Sequence, residues 1–393
     1  MASKENLIKK FTLFNSYKIE LQTIAYGFNL FLPTLIIILV SFFQNYIFIS
    51  ELSILVGTNI IFTQIFSANS RPLIIKNKDN SLLNFIIRLR MLIGTILILL
   101  NFTILYLIDS YYFFQLLLIS IIIICQWIVE IILTYNELKV RDKFFKYYIL
   151  FSFLFFLSCL IEMILIRNLF YSLLYFNIFL ILSIFIYIKR TYYKLSFSLF
   201  LNFFKRILLS NEFFSSLSLS LANLIWRILI IFFCGKTIAG VYFAGYAIGS
   251  LPGSLFNNTF GPKIIKEKIK LNKFWIKIFK FLLSILLILN SYILINFFEI
   301  FDNNINIQIS CSIISFLGSY FMVTGLIKRQ KLIQNTNNAK KVFSTDIFYS
   351  LIVILVIPTL FFLGGSKLII SAFLILSIFS FLVYNYIFTK FSK

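Results

Sequence analysis

The sequence predicts an all-α polytopic membrane protein of about twelve transmembrane helices, arranged as two six-helix halves in a parallel, same-orientation repeat. Three observations predict it. Apolar residues make up 60% of the 393-residue chain and the mean hydropathy is +0.96, well above the roughly 45–50% apolar content of soluble domains. Twelve apolar runs reach the ~20 residues that a helix needs to cross a bilayer. Lys and Arg, finally, collect on one side of those runs.

In chain order the runs fall at 24–43, 51–70, 88–108, 111–134, 147–167, 170–188, 213–234, 238–261, 274–298, 307–327, 343–364 and 368–389. Gaps as short as Asp109–Ser110 and Gly365–Lys367 make their flanking helices antiparallel hairpins. With the N-terminus placed in the cytoplasm, 32 of the 36 Lys and Arg residues lie in inner segments. Three lie in outer loops (Arg167, Lys236, Lys367), and Arg227 alone falls deep within a span. That asymmetry follows the positive-inside rule. It predicts cytoplasmic termini and supports the count of twelve spans. It also accounts for the formal charge of +22 through contact with anionic membrane lipid, with no need for nucleic acid.

Composition excludes several chemistries. The chain has no histidine, which argues against zinc, haem and His-based catalytic sites. Cys125, Cys159, Cys234 and Cys311 lie in or at the end of apolar runs without CxxC spacing, as small packing residues do. No metal or cofactor site is expected, nor an enzyme. The N-terminal stretch MASKENLIKKF lacks the form of a cleavable signal. No GxxxxGK[ST] occurs and no loop could house a nucleotide-binding domain, which excludes an ATPase within this chain.

An internal repeat underlies the span pattern. Ser70–Lys78 (SRPLIIKNK) and Phe260–Lys268 (FGPKIIKEK) align at an offset of 190, pairing Pro72 with Pro262. The same shift carries span one onto seven, two onto eight and three onto nine. The expected organisation is an N-terminal half at 1–190, an amphipathic linker at 191–211 and a C-terminal half at 212–393. In the linker, Lys194, Ser198, Asn202 and Lys205–Arg206 oppose Phe197, Leu201, Phe204 and Leu208, the pattern of a helix lying on a membrane surface. Transporters with parallel repeats place the substrate between the halves.

A few residues could carry chemistry. An arginine at a helix centre costs about 2.5–3.5 kcal/mol and usually faces a wet cavity or a partner. Arg227 is therefore read either as an ion-pair partner of Glu162, counted to similar depth, or as a cavity cation for an anionic head group. Glu130, after Trp127, is either an ion-coupling carboxylate, as Glu162 could also be, or an interfacial residue. Asp346, Glu212 and Asp302 lie at span edges and read as solvated. Arg71, Arg88 and Arg90, with Lys263 and Lys266, would ring the cytoplasmic mouth. The positive-inside rule explains them, and a basic vestibule for a lipid pyrophosphate is the functional alternative. Gly245, Gly249 and Gly253, four residues apart, give one helix a small-residue face for packing or for a cleft. Pro252 lies within that stretch and Pro262 reads as its end.

At this stretch the chain resembles a known family. Gly235, then Ala239-Gly240-Val241-Tyr242-Phe243-Ala244, then Pro252 and Pro262 look like spans seven and eight of the Wzx-type O-antigen and polysaccharide flippases of the multidrug/oligosaccharidyl-lipid/polysaccharide (MOP) superfamily. The twelve spans, the repeat and the linker extend the resemblance over the whole chain. Where many relatives carry an acid in span seven, Trp226 and Arg227 stand here. The resemblance implies a flippase moving undecaprenyl-pyrophosphate-linked oligosaccharide units from the inner to the outer leaflet by alternating access. It also implies a polysaccharide polymerase and chain-length proteins as further partners. A multidrug or small-solute antiporter of the same fold would favour a cation site built on acids, of which only Glu130 and Glu162 lie inside spans. A major-facilitator transporter lacks its Gly-x-x-x-Asp-Arg/Lys loop here, and a polymerase or membrane glycosyltransferase lacks its large outer loop.

Overall fold

In the computed structural model the protein is described at residues 21–67, 80–138, 142–190, 211–267, 304–334 and 339–391. Ten helices make up these segments: α1 (Leu21–Phe42), α2 (Tyr46–Ser67), α3 (Asn80–Leu107), α4 (Phe113–Leu138), α5 (Asp142–Leu165), α6 (Phe170–Arg190), α7 (Asn211–Glu267), α8 (Asn304–Gln334), α9 (Ala339–Ile369) and α10 (Ala372–Phe391). All ten are long and apolar enough to cross a membrane, and no strand occurs among the described residues. The chain is an integral membrane protein. Large apolar side chains such as Leu99, Phe114, Phe185 and Phe232 remain on the outside of the bundle, where lipid rather than water solvates them.

Helix α7 contains 57 residues, which at about 1.5 Å each would run far past a ~30 Å hydrocarbon core. It is two crossings joined at Gly235, whose φ of 77° and ψ of 163° break the helix. A side chain is unfavourable in that region and glycine is not. The two arms are the expected seventh and eighth spans, so the described residues contain eleven of the twelve. The ninth, at 274–298, lies outside them, as do the linker at 191–210 and the motif at Ser70–Lys78.

The tight connections share one end of the bundle. The turns after α1, α3 and α5 each hold one residue of positive φ, namely Gln44 (56°), Asp109 (51°) and Arg167 (55°). Gly235 and Gly365 (67°) do the same within α7 and near the end of α9. Gly235 falls one residue from the position that the 190-residue offset assigns to Gln44. Side-chain bonds join these turns: Gln115 Nε2 donates to Asn168 Oδ1 at 2.8 Å, and Tyr242 donates to the Ser366 carbonyl at 2.6 Å. This short-turn end opposes the basic end, toward which the lysine-rich segments lead.

One expected boundary is corrected. Pro262 does not close the second arm of α7, which continues as helix to Glu267. A proline removes one N–H bond and leaves the rest of the ladder, which membrane helices tolerate.

The first half packs α4 against α3, α6, α1 and α2, and the second half packs α8 against α7 and α10. The main contact between halves is α7 lying along α2 and α1. The glycine face predicted on the second arm is buried within the second half, against α8. A Cβ on Gly249 would stand 2.3 Å from the Ser312 carbonyl oxygen, and one on Gly245 2.6 Å from Cys311 Cβ. Gly253 meets Ser319 in the same way. These glycines make a helix-packing seam.

Candidate functional site

A cavity of about 410 Å³ lies where the halves meet. From the first half α1 contributes Pro33 and Thr34, and α2 contributes Ser53. From the second half come Asn223, Trp226 and Arg227 of α7's first arm, Phe243, Tyr246 and Ser250 of its second arm, and residues of α8, α9 and α10 including Tyr349, Phe373 and Ser377. The volume lies within the ~300–1,000 Å³ of small-molecule sites.

Among the described residues Arg227 is the cation of this lining, and no acid lines the cavity. It sits eight residues before Gly235, about 12 Å along the helix axis. Its Nη1 donates to the Ser53 carbonyl of α2 at 2.7 Å. Gly57 of α2 lies beside this arm: a Cβ there would stand 2.9 Å from Leu224 Cδ1 and in ordinary contact with the Arg227 side chain. Arg227 thus spans the seam between halves, with a carbonyl rather than a carboxylate as partner. A guanidinium carries five N–H donors, so most of its capacity is left for other acceptors.

Around Arg227 the wall is aromatic and hydroxylic. The Trp226 ring lies 5.2 Å from Tyr246, and Tyr246 stacks at 5.9 Å on Phe373. The Tyr246 hydroxyl is satisfied by the Ile369 carbonyl at 2.5 Å. The Trp226 indole N–H is buried without an acceptor.

The short-turn end closes above the cavity. Tyr46 donates to Gln308 Oε1 at 2.9 Å, and Gln308 Nε2 donates to Ser41 at 3.2 Å, joining α8 to α2 and α1. Lys236 pairs with the buried Glu51 at 2.8 Å, while Ser110 donates to the other Glu51 oxygen at 2.6 Å. The backbones of α2 and α7 touch at Gly240, where a Cβ would stand 1.9 Å from the Tyr46 carbonyl oxygen. Lower down, Ser220 donates to Gln64 Oε1 at 2.6 Å.

No protein-family model matches the chain, and no curated protein matches it by sequence. Solved structures do match. A MATE transporter crystallised in a bent conformation superposes with a TM-score of 0.52 at 14% identity, over 95% of this chain and 94% of that one. An inward-facing multidrug-resistance MATE family transporter of the MOP superfamily does so with a TM-score of 0.51 at 15% identity, over 94% of each chain. The chain has the MOP fold. This agrees with the resemblance read from the sequence at the level of the superfamily's architecture.

Within the MOP fold most of the other expected site residues sit away from the cavity. Arg71 lies outside the described residues, and Arg88 is half-buried on α3. Arg90 does not ring an open mouth. It is fully buried, paired with Glu130 at 2.9 Å, donating to Ser67 at 3.3 Å and to the Trp127 carbonyl, with its guanidinium 4.8 Å from the Trp127 ring. Glu130 is accordingly the counter-ion of Arg90. Glu162 does not meet Arg227. Its two oxygens accept the backbone N–H groups of Tyr171 and Ser172 at 2.9 and 2.7 Å, capping the start of α6, where a carboxylate is favoured.

Asp346 overturns the expectation of a solvated edge residue. It is fully buried. Its oxygens accept from Arg329 Nε at 3.0 Å and Nη2 at 2.7 Å, and from Ser215 and Tyr384. This cluster binds α7, α8, α9 and α10 of the MOP fold together near the basic end. The four cysteines are free, and among the described residues no cluster of His, Cys, Asp and Glu could hold a metal. Sequence reasoning found Arg227 but not its neighbours. Asn223 is four residues earlier on the same helical face, a spacing that could have revealed it.

Proposed function

We propose that the chain is a flippase that carries a lipid-linked oligosaccharide head across the bacterial cytoplasmic membrane, with undecaprenyl pyrophosphate as the lipid carrier. The lipid tail stays in the bilayer while the polar head crosses through the cavity between the halves, which rock to expose it to each leaflet in turn. The supporting observation is the lining of that cavity: among the described residues, one arginine, hydroxyl and amide groups, aromatic rings and no carboxylate. A phosphate needs a cation when it leaves water, since an unpaired buried charge is costly, and Arg suits phosphate oxygens. With the lysine-rich end in the cytoplasm, the closed short-turn end faces outward and the head enters from inside.

A multidrug or small-solute antiporter is the second reading, favoured by the name of the inward-facing relative of the same fold. The acid-free cavity weighs against a cationic drug.

Reconstitution tests the proposal. Liposomes containing the protein and a fluorescent undecaprenyl-pyrophosphoryl oligosaccharide should show protein-dependent movement of the head between leaflets, read by quenching with a membrane-impermeant reagent. Arg227→Gln should slow that movement at least tenfold with unchanged protein levels. Export of a cationic dye with no movement of the lipid-linked head would establish the antiporter reading instead.

A further inference from the structure

Several polar side chains of the cavity wall make no hydrogen bond among the described residues. Thr34 of α1, Asn223 of α7's first arm and Ser250 of its second arm all line the cavity, and none of them bonds to the described residues. Many hydroxyls elsewhere in the bundle turn back onto the preceding turn: Thr58 donates to the Ile54 carbonyl at 2.8 Å, Ser183 to Phe179 at 2.8 Å and Ser350 to Asp346 at 2.8 Å. That is the default for Ser and Thr in apolar surroundings. Thr34 and Ser250 depart from it on the wall of one cavity, beside an asparagine that also lacks a partner. All three are half-buried and open onto the cavity, so their donors and acceptors are free to meet a polar guest.

The groups differ in kind from Arg227. A hydroxyl both donates and accepts, and so does a carboxamide. Together they match an uncharged group rich in hydroxyls and amides. Arg227 matches an oxyanion, and Asn223 is one turn from it on the same helical face. No acid among the described residues lines the cavity, so an ammonium there would find no counter-ion among them. The adjacent indole N–H of Trp226, buried and without an acceptor, adds a further donor on the same arm.

Resting on the flippase reading, we propose that Thr34, Asn223 and Ser250 form a sugar-reading subsite next to the phosphate-holding Arg227. This subsite accepts a hydroxylated or N-acetylated first sugar and rejects one bearing a free amine. The sugar's hydroxyl and acetamido groups complete the three unsatisfied side chains. A free amine would place a charge among groups that cannot neutralise it.

Binding to the full chain in lipid nanodiscs tests this with three probes: undecaprenyl pyrophosphate, the same lipid bearing N-acetylglucosamine, and the same lipid bearing glucosamine. The N-acetylated probe should bind about tenfold or more tighter than the bare lipid, as two or three hydrogen bonds imply, and the amine probe no tighter than the bare lipid. In Asn223→Leu and Ser250→Ala, two independent variants, that sugar-dependent gain should fall toward one while bare-lipid affinity stays. In Arg227→Gln all three probes should weaken together. Equal gains for amine and N-acetyl sugars, or a gain unchanged in both variants, would overturn the subsite. If the wild type binds none of the three lipids, the flippase reading itself is lost. If it binds all three equally, only the sugar subsite is lost.

Discussion

Arg90 and Arg329 on the one hand and Arg227 on the other are embedded in the same bundle in different ways. Each of the first two lies toward the basic end of its own half and touches a carboxylate, Glu130 at 2.9 Å and Asp346 at 2.7 Å. Each also gathers a hydroxyl, Ser67 or Ser215, and ties together helices of one half only. Arg227 touches a backbone carbonyl across the seam and fronts a cavity. Counter-ions turn the first two into fasteners within rigid halves. The absence of a carboxylate beside Arg227 leaves its charge available where the halves meet.

The comparison can be broken most easily at Asp346. Asp346→Ala would strand Arg329 among buried groups, and removing one partner of a buried pair costs about 3–5 kcal/mol. A large drop in the melting temperature of the purified protein is expected, and an unchanged melting curve would sink the fastener assignment. Gly240→Ala should come next. Its Cβ would collide with a carbonyl oxygen 1.9 Å away, and overpacking costs about 1–3 kcal/mol. The short-turn end should be forced apart, read as faster labelling of a cavity cysteine by an impermeant thiol reagent from outside. No change in labelling would mean that α2 and α7 do not form the closure there.

Arg227→Gln should barely move stability, since it loses one hydrogen bond to a carbonyl worth about 0.5–1.5 kcal/mol, while head-group translocation falls at least tenfold. A variant that melts early yet transports normally would place Arg227 with the fasteners. The smallest effect belongs to Lys236→Ala. That lysine is exposed, and the buried Glu51 keeps its bond from Ser110 when the lysine is removed. A melting shift as large as that of Asp346→Ala would show that Glu51 depends on it.

Much of the fold is legible in the sequence because bilayer thickness sets the length of each apolar run and lysines mark one end. Gly235 is legible as a break for the same reason, since a continuous apolar run through it is too long for one crossing. Ion partners are much less so. Arg329 and Asp346 lie on either side of the α8–α9 connection, and an acid near a span edge looks solvated until the helices are folded together. Glu130 and Arg90 are separated by another helical turn-around and raise the same difficulty. Glu162 was misplaced in depth because its helix ends three residues later, at Leu165, and its partners are backbone groups, which carry no sequence mark. Arg227 could be found because a lone cation deep in a span has few explanations. Thr34 and Ser250 could not, since their meaning lies in the hydrogen bonds they fail to make.

The backbone contact between Gly240 and Tyr46 has a consequence for insulation. A cavity with an arginine and unsatisfied hydroxyls holds water partway through an energised membrane, where each charge crossing 100 mV changes the energy by about 2.3 kcal/mol. If that water reached both sides, protons and ions would leak with every resting molecule. A main-chain contact with no room for a methyl group leaves no room for a file of water either, and Gln308, bonded to both Tyr46 and Ser41, plugs the neighbouring gap. The missing side chain at position 240 thus lets the two backbones meet directly where such a leak would have to be stopped.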